Sequence, residues 1–330
     1  MNAPWIRAQL RQLLAQRGHA WLLHGPSGLG QYPLGLALAQ AWLCEQPGAD
    51  GACGQCASCH QVDVRAHTDL AVLMPETAMQ ALGWPLGEKA QQELDEKKRK
   101  PSKEIRVDAM RDTLEFTQRT SGRGRGKVVL VYPAERMNQV TANALLKTLE
   151  EPPGDVRFVL ATEAAHQLLP TIRSRCQGHT LTWPTAAEAE AWLQEQGVPA
   201  AASGGLLRAA GGRPEDALRL HQAGLDARAW AQWPKALARG DGSALAAWGL
   251  PQVVEALQKL CHDLLAVRSG ADPRFFAPDD LPASGAVTAL TAWSRDLAAT
   301  ARTVEHPFNA GLMLEDLVTR ARTALNSRGP

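Results

Sequence analysis

The stretch that most constrains this chain is residues 20–45. A short apolar run, Ala20-Trp-Leu-Leu-His24, is followed by Gly25-Pro-Ser-Gly-Leu-Gly30-Gln31-Tyr32 and then by a helix-forming segment from Pro33 to about Glu45. The apolar run reads as a buried strand. Proline suits the first turn of a helix, where its missing N–H would be unpaired anyway. Strand, glycine-rich turn and helix together match the phosphate-loop pattern G-x-x-x-x-G-K-[ST], with glycines at 25 and 30. Further apolar runs at Asp69–Met74, Lys127–Tyr132 and Arg157–Ala161 surround a helix at 141–150 with Ala142, Leu145, Leu146 and Leu149 on one face. Pro152-Pro153 ends that helix. The alternation predicts an α/β domain with a parallel sheet covered by helices. Another helix is expected over 5–17, where Trp5, Ile6, Gln9, Leu10, Leu13 and Leu14 recur at helical spacing.

The loop Gly25, Gly28, Gly30, Gln31, Tyr32 lacks the groups that handle a nucleotide. A working loop wraps phosphates with backbone N–H groups at the helix N-terminus. Its lysine neutralises the terminal phosphates and its Ser/Thr hydroxyl holds Mg²⁺. Gln31 stands at the lysine position and Tyr32 at the hydroxyl position. The strand that should end in Asp-Glu ends instead in Tyr132-Pro133. Two failures at one chemistry predict no functional ATP site. Taken by itself, Gly25–Gly30 is equally compatible with an ordinary strand-to-helix turn.

Cys44, Cys53, Cys56 and Cys59 follow the spacing C-x8-C-x2-C-x2-C. Closely spaced C-x2-C pairs bring two sulfurs to one metal, and four thiolates close a tetrahedral shell around Zn²⁺ with no position left for water. The expectation is a structural zinc module over 44–60. A disulfide pair, unrelated buried thiols and an iron–sulfur cluster are the rivals, and His60 or His67 could replace Cys44 as a ligand. Cys176 and Cys261 stand alone, and Cys261 is expected in a core.

The bulk properties narrow the function. The chain has 330 residues, 35 basic against 34 acidic, for a net charge of +1, which is not the basic excess of a free-standing nucleic-acid binder. No segment approaches the ~20 apolar residues of a membrane span, and the N-terminus lacks the apolar core of a secretory signal. A cytoplasmic, reducing setting is expected, with no membrane partner. Glu88–Glu104 is a charged run that reads as a solvated helix or mobile insertion, with a basic core at Lys97-Lys-Arg-Lys100 that could touch nucleic acid. After about Trp183 clear strands stop, and an Ala/Leu/Glu/Gln/Trp-rich helical half in two pieces is expected.

Thr171-Ile-Arg173-Ser174-Arg175-Cys176 places two arginines close together. They are either surface cations in local ion pairs or an arginine finger aimed at a neighbouring subunit's ATP. Together with Asn143-Ala-Leu-Leu-Lys-Thr-Leu-Glu-Glu-Pro-Pro153 and Phe158-Val-Leu-Ala-Thr162, the element Ser174, Arg175, Cys176 resembles the clamp loader subunits of bacterial DNA polymerase III, of the AAA+ class. The likeness covers residues 1–220, and the four-cysteine insertion after the loop helix is shared within the family.

The resemblance implies a phosphate-loop NTPase-like domain over 1–183, a small helical lid over 184–222 and an all-α oligomerisation collar over 223–330. It also implies a non-hydrolysing member of a hetero-oligomer. Its partners would be the gamma or tau motor subunits and delta, with the sliding clamp and primed DNA reached through the complex. Arg175 would act in trans. The chain itself would have neither ATPase nor polymerase activity, while belonging to a DNA-directed DNA polymerase holoenzyme, a nucleotidyltransferase complex. One departure fits inactivity: Arg213-Pro-Glu215-Asp-Ala-Leu218 carries Glu215 where the motor subunits have a nucleotide-sensing arginine. The insertion over 76–104 is longer than the family implies. Two other classes stay open here: an active AAA+ ATPase, and an independent zinc-containing DNA-binding protein.

Overall fold

The computed structural model describes residues 3–283, 285–304, 306 and 309–327. The chain divides into two compact units, Met1–Pro184 and Thr185–Pro330.

The first unit runs α1 (Pro4–Leu14), β1 (Ala20–His24), α2 (Gln31–Leu43), α3 (Ala57–Asp63), β2 (Leu70–Leu73), α4 (Glu76–Ala81), α5 (Glu88–Asp95), α6 (Val107–Gln118), β3 (Lys127–Val131), α7 (Gln139–Glu150), β4 (Val156–Thr162), α8 (Pro170–Arg173) and β5 (Gln177–Thr180). The strands form one sheet in the order β2-β3-β4-β1-β5, with every neighbouring pair parallel. The inner strands β1, β3 and β4 are buried almost throughout. That is why they read as continuous apolar runs: a parallel sheet covered on both faces has no solvent side to alternate with. Leu22 pairs with Leu160, and Val129 with Phe158, so the registers of all three inner strands follow from their apolar runs. Because β1 lies between β4 and β5, its carboxyl end opens in the interior of the sheet's end, where open α/β sheets bind ligands.

Helix α2 is apolar on nearly every side and packs against the sheet. A Cβ at Gly35 would lie 2.8 Å from Leu130 Cδ1, so the bare glycine permits the close approach. Helix α7 is capped by Asn138, whose side chain accepts from the Thr141 amide at 3.0 Å, and it buries Ala142, Leu145 and Leu149 as their spacing predicts.

The structure departs from the sequence reading in four places. Helix α1 ends at Leu14 and α2 begins at Gln31, ahead of Pro33. Strand β5, Gln-Gly-His-Thr, carries no apolar signal; it is an edge strand held to β1 by its backbone. The charged run is helical only over Glu88–Asp95, and it is not simply solvated. Arg99 folds back on Glu76, donating from Nη2 to Oε1 at 2.8 Å, and on Glu93, donating from Nε to Oε2 at 2.7 Å. Glu76 is buried, and the Arg99 guanidinium holds its carboxyl below the usual range against the opposing effect of burial. Lys98 pairs with Glu96. The basic run 97–100 thus commits Arg99 to the buried Glu76 and to Glu93, while Lys98 pairs with Glu96 at the surface.

The second unit is helical: α9 (Ala186–Glu195), α10 (Ala200–Ala209), α11 (Pro214–Gln222), α12 (Ala227–Ala238), α13 (Leu250–Arg268), α14 (Val287–Thr303) and α15 (Ala310–Leu325). One apolar cluster joins Ala189, Leu193, Leu206 and Ala217; a larger one joins Trp230, Trp233, Leu257, Cys261, Phe276 and Trp293. Trp230 stacks on Phe276 with centroids 4.9 Å apart. The fully buried Asp263 brings Phe276 there, accepting from the amides of Arg274 (2.9 Å), Phe275 (2.7 Å) and Phe276 (2.9 Å). Cys261 is a core residue, its thiol pushed up to about 12 by burial.

Candidate functional site

The loop between β1 and α2 is where the phosphate-loop spacing of the sequence falls. Gly28 and Gly30 adopt φ of 74° and 98°, left-handed conformations that suit glycine. Its polar chemistry is turned inward. Gln31 is buried, and its Nε2 donates to the carbonyls of Gly25 at 2.7 Å and Pro26 at 2.6 Å. The side chain at the lysine position therefore folds onto the loop's own backbone. Leu29 is fully buried, and its carbonyl accepts from Trp5 Nε1 at 2.9 Å, which pins the loop to α1.

The metal-holding position is filled by rings. Trp84 Nε1 donates to Tyr32 Oη at 2.7 Å, and the Tyr32 and Tyr132 rings lie 5.4 Å apart. Burial raises the Tyr32 phenol above its ordinary value, with Trp84 and Arg65 pulling the other way. Tyr132 Oη donates to Glu163 Oε1 at 2.9 Å. Glu135 accepts from Thr162 Oγ1 at 2.6 Å and from the Glu163 amide at 3.2 Å. The two carboxylates near the ends of β3 and β4 are thus engaged with the protein itself.

At the other end of α2, Cys44 is the C-cap residue and fully buried. Cys56 caps α3, its sulfur accepting from the Cys59 amide at 3.4 Å. The four cysteines converge: Cys44 and Cys56 sulfurs are 3.8 Å apart, Cys53 and Cys59 sulfurs 3.9 Å, and all four lie within 4.8 Å of one another. A tetrahedral metal–thiolate centre with bonds of about 2.3 Å has sulfur–sulfur edges of about 3.8 Å. The cradle fits a metal ion. It does not fit disulfides, since S–S bonds are about 2.05 Å and all four thiols are free.

Backbone amides point at the sulfurs: Cys53 N and Gln46 N donate to Cys44 at 3.3 and 3.4 Å, and Cys56 N and Gln55 N to Cys53 at 3.4 and 3.5 Å. Burial alone would raise Cys56, but the amides of Cys59 and Glu45 outweigh it and hold the thiol down to about 6. Hydrogen bonds from Gln55 and Cys56 lower Cys53, while burial raises Cys44 and Cys59. Gln40 ties the module to α2 by donating to Asp63 Oδ1 at 2.9 Å.

Cys44 belongs to the cluster, so neither histidine replaces it. His67 is buried in other bonds, to Ser58 Oγ at 3.1 Å and from the Asp69 amide at 3.0 Å.

Arg175 follows α8 at the surface. Its Nε donates to Glu150 Oε1 at 2.7 Å, Nη2 contacts the same oxygen, and Nη1 donates to the Thr171 carbonyl at 2.9 Å. Ser174 Oγ donates to the same carbonyl at 3.2 Å, and Cys176 is half-buried, its thiol raised to about 12 by desolvation. In the second unit, Arg213 donates to the Ala210 carbonyl at 2.8 Å and pairs with Asp216 at 3.0 Å.

No motif in the sequence marks Trp84, Glu135, Glu163 or Glu150 as part of the site. A single tryptophan amid the polar insertion was the one signal available for Trp84.

The fold and site define the class: a phosphate-loop-type α/β protein with a four-cysteine metal cradle appended to its loop helix. A family model described as DNA polymerase III, delta subunit, matches residues 6–184, and the chain belongs to that family. It is 41% identical over 226 residues to DNA polymerase III subunit delta' of Pseudomonas aeruginosa, covering 67% of this chain and 62% of that protein. It is 36% identical over 225 residues to the Escherichia coli K12 subunit delta', covering 66% and 60%. The chain therefore spans about three-fifths of the length of these relatives. Among solved structures, a DNA polymerase III gamma subunit-related protein of Thermotoga maritima is similar at 18% identity and a TM-score of 0.49, covering 97% of this chain and 99% of that one. Among the described residues, no helix is long and apolar enough to cross a membrane.

Proposed function

We propose that this chain is a non-hydrolysing subunit of the DNA polymerase III clamp loader, a cytoplasmic hetero-oligomer that places the sliding clamp on primed DNA. Its partners are the gamma or tau motor subunits and delta. The observation that carries the reading is Gln31, whose amide is bonded to the carbonyls of Gly25 and Pro26 where a working loop extends a lysine to phosphate. The reading assigns the chain no ATP turnover and no polymerase chemistry of its own. Arg175 supplies a guanidinium to the ATP of the adjoining motor subunit, stabilising charge in the transition state.

The four thiolates hold a structural Zn²⁺, the soft-ligand, closed-shell choice for such a set. The zinc fixes residues 44–60 to the end of α2 and takes no part in catalysis. Residues 184–222 serve as a lid and 223–330 as the oligomerising collar.

The test is ATP hydrolysis by purified motor subunits with delta, clamp and primed DNA, adding either this chain or its Arg175→Ala variant. The wild type should stimulate turnover, and the variant should assemble without stimulating. A chain that neither joins the complex nor changes the rate overturns the reading.

A further inference from the structure

Arg175 is gripped on one edge only. A guanidinium has five N–H donors in a fixed fork. The Nε–H and one Nη2–H go to Glu150 Oε1, and one Nη1–H goes to the Thr171 carbonyl. Glu150 is the last residue of α7 and Thr171 lies in α8, so two helices hold the side chain from behind. The described residues offer no partner to the second hydrogens of Nη1 and Nη2. Each Nη therefore keeps one donor hydrogen, and the end-on edge between the two Nη atoms is the geometry that receives a pair of anionic oxygens. The arginine and glutamate side chains are 30% and 49% exposed. An ion pair this open adds little to stability, so its effect lies in direction: a long, rotamer-rich side chain is fixed before it meets its target.

We propose that Glu150 is the positioning residue for Arg175, holding the side-on edge of the guanidinium so that the end-on edge is presented to the phosphoryl oxygens of a nucleotide in the neighbouring subunit. This rests on the trans role of Arg175 given above. Glu150 touches no substrate and acts only through the arginine. The geometry favours a hold that persists during engagement over one that must be broken, because the edge needed for phosphate is not the edge that Glu150 takes.

The experiment uses the reconstituted loader with wild-type chain, Glu150→Ala, Glu150→Gln, Arg175→Ala and the Glu150→Ala/Arg175→Ala double variant. It measures assembly, kcat and KM for ATP. Arg175→Ala should abolish the stimulation due to this chain. Glu150→Ala should assemble normally and lower that stimulated kcat by about tenfold with little change in KM, the signature of a misplaced group. Glu150→Gln keeps an acceptor oxygen and should retain most of the rate. The double variant should be no worse than Arg175→Ala. An Arg175→Ala variant with full activity sinks the trans reading itself, and the positioning role with it. An impaired Arg175→Ala beside a Glu150→Ala that turns over at or above the wild-type rate overturns the positioning role alone. Should Glu150→Ala lower the assembled fraction, the Gln variant decides: full loss of stimulation there counts against the proposal.

Discussion

The two ends of α2 carry opposite outcomes of the same problem, how to satisfy polar groups at a helix terminus. At the N-terminal end, the groups that would meet a ligand meet each other: Gln31 bonds the loop carbonyls, and Trp84 bonds Tyr32. At the C-terminal end, four sulfurs face one point, with backbone amides directed at them. The first site has closed on itself. The second offers four ligand atoms that could hold a cation, whose positive charge would offset the repulsion between thiolates held this close. One helix thus joins a loop whose side chains bond one another to a cluster of four cysteines that could hold a metal ion.

The sharpest way to break this comparison is at the cradle. Cys56→Ser should release the metal and cost about 5 kcal/mol or more, since metal binding energy is folding energy for such a module. Metal content and thermal denaturation check it, and a variant that still carries one ion per chain contradicts the ligand set. Next is Glu76→Gln, which breaks the buried pair anchoring the insertion that carries Trp84. Its cost should be about 3 kcal/mol near neutrality, with metal content unchanged.

The sign of its pH dependence is fixed. The folded-state pKa of Glu76 lies below its ordinary value of 4.5. The stabilisation is therefore present above that value and lost as pH falls through the folded pKa. Denaturation curves of wild type and variant should converge in acid.

Gln31→Leu should cost about 2 kcal/mol by removing two hydrogen bonds to the loop carbonyls, measured by chemical denaturation. Gln31→Lys should restore no hydrolysis, because Tyr32, Tyr132 and Pro133 remain. The smallest effect belongs to Trp84→Phe, about 1 kcal/mol for one neutral hydrogen bond. It should also push the Tyr32 phenol higher still in a spectrophotometric titration, since the Trp84 bond lowers it.

What could be read in the sequence depended on how locally each feature is specified. The cysteine cradle spans sixteen residues and needs only its spacing, so Cys44, Cys53, Cys56 and Cys59 were all legible. Strands β1, β3 and β4 were legible because two-sided burial leaves an unbroken apolar run. Strand β5 was not, since Gln177–Thr180 is an edge held by backbone pairing. Gln31 and Tyr32 could be placed at the lysine and hydroxyl positions from the sequence, but their partners could not: Trp84 reaches Tyr32 across 52 residues. Glu150 lies 25 residues before Arg175 and meets it only once α7 and α8 are packed. The fold of the charged run was hidden for the same reason, because mixed charge looks solvated until Arg99 finds Glu76.

Closure of the loop end of α2 on its own side chains is put to the test by equilibrium binding of Mg·ATP to the purified intact chain. No saturable binding is expected up to about 1 mM, the range in which only weak contacts register. Saturable micromolar binding, with Gln31 in place, would contradict it.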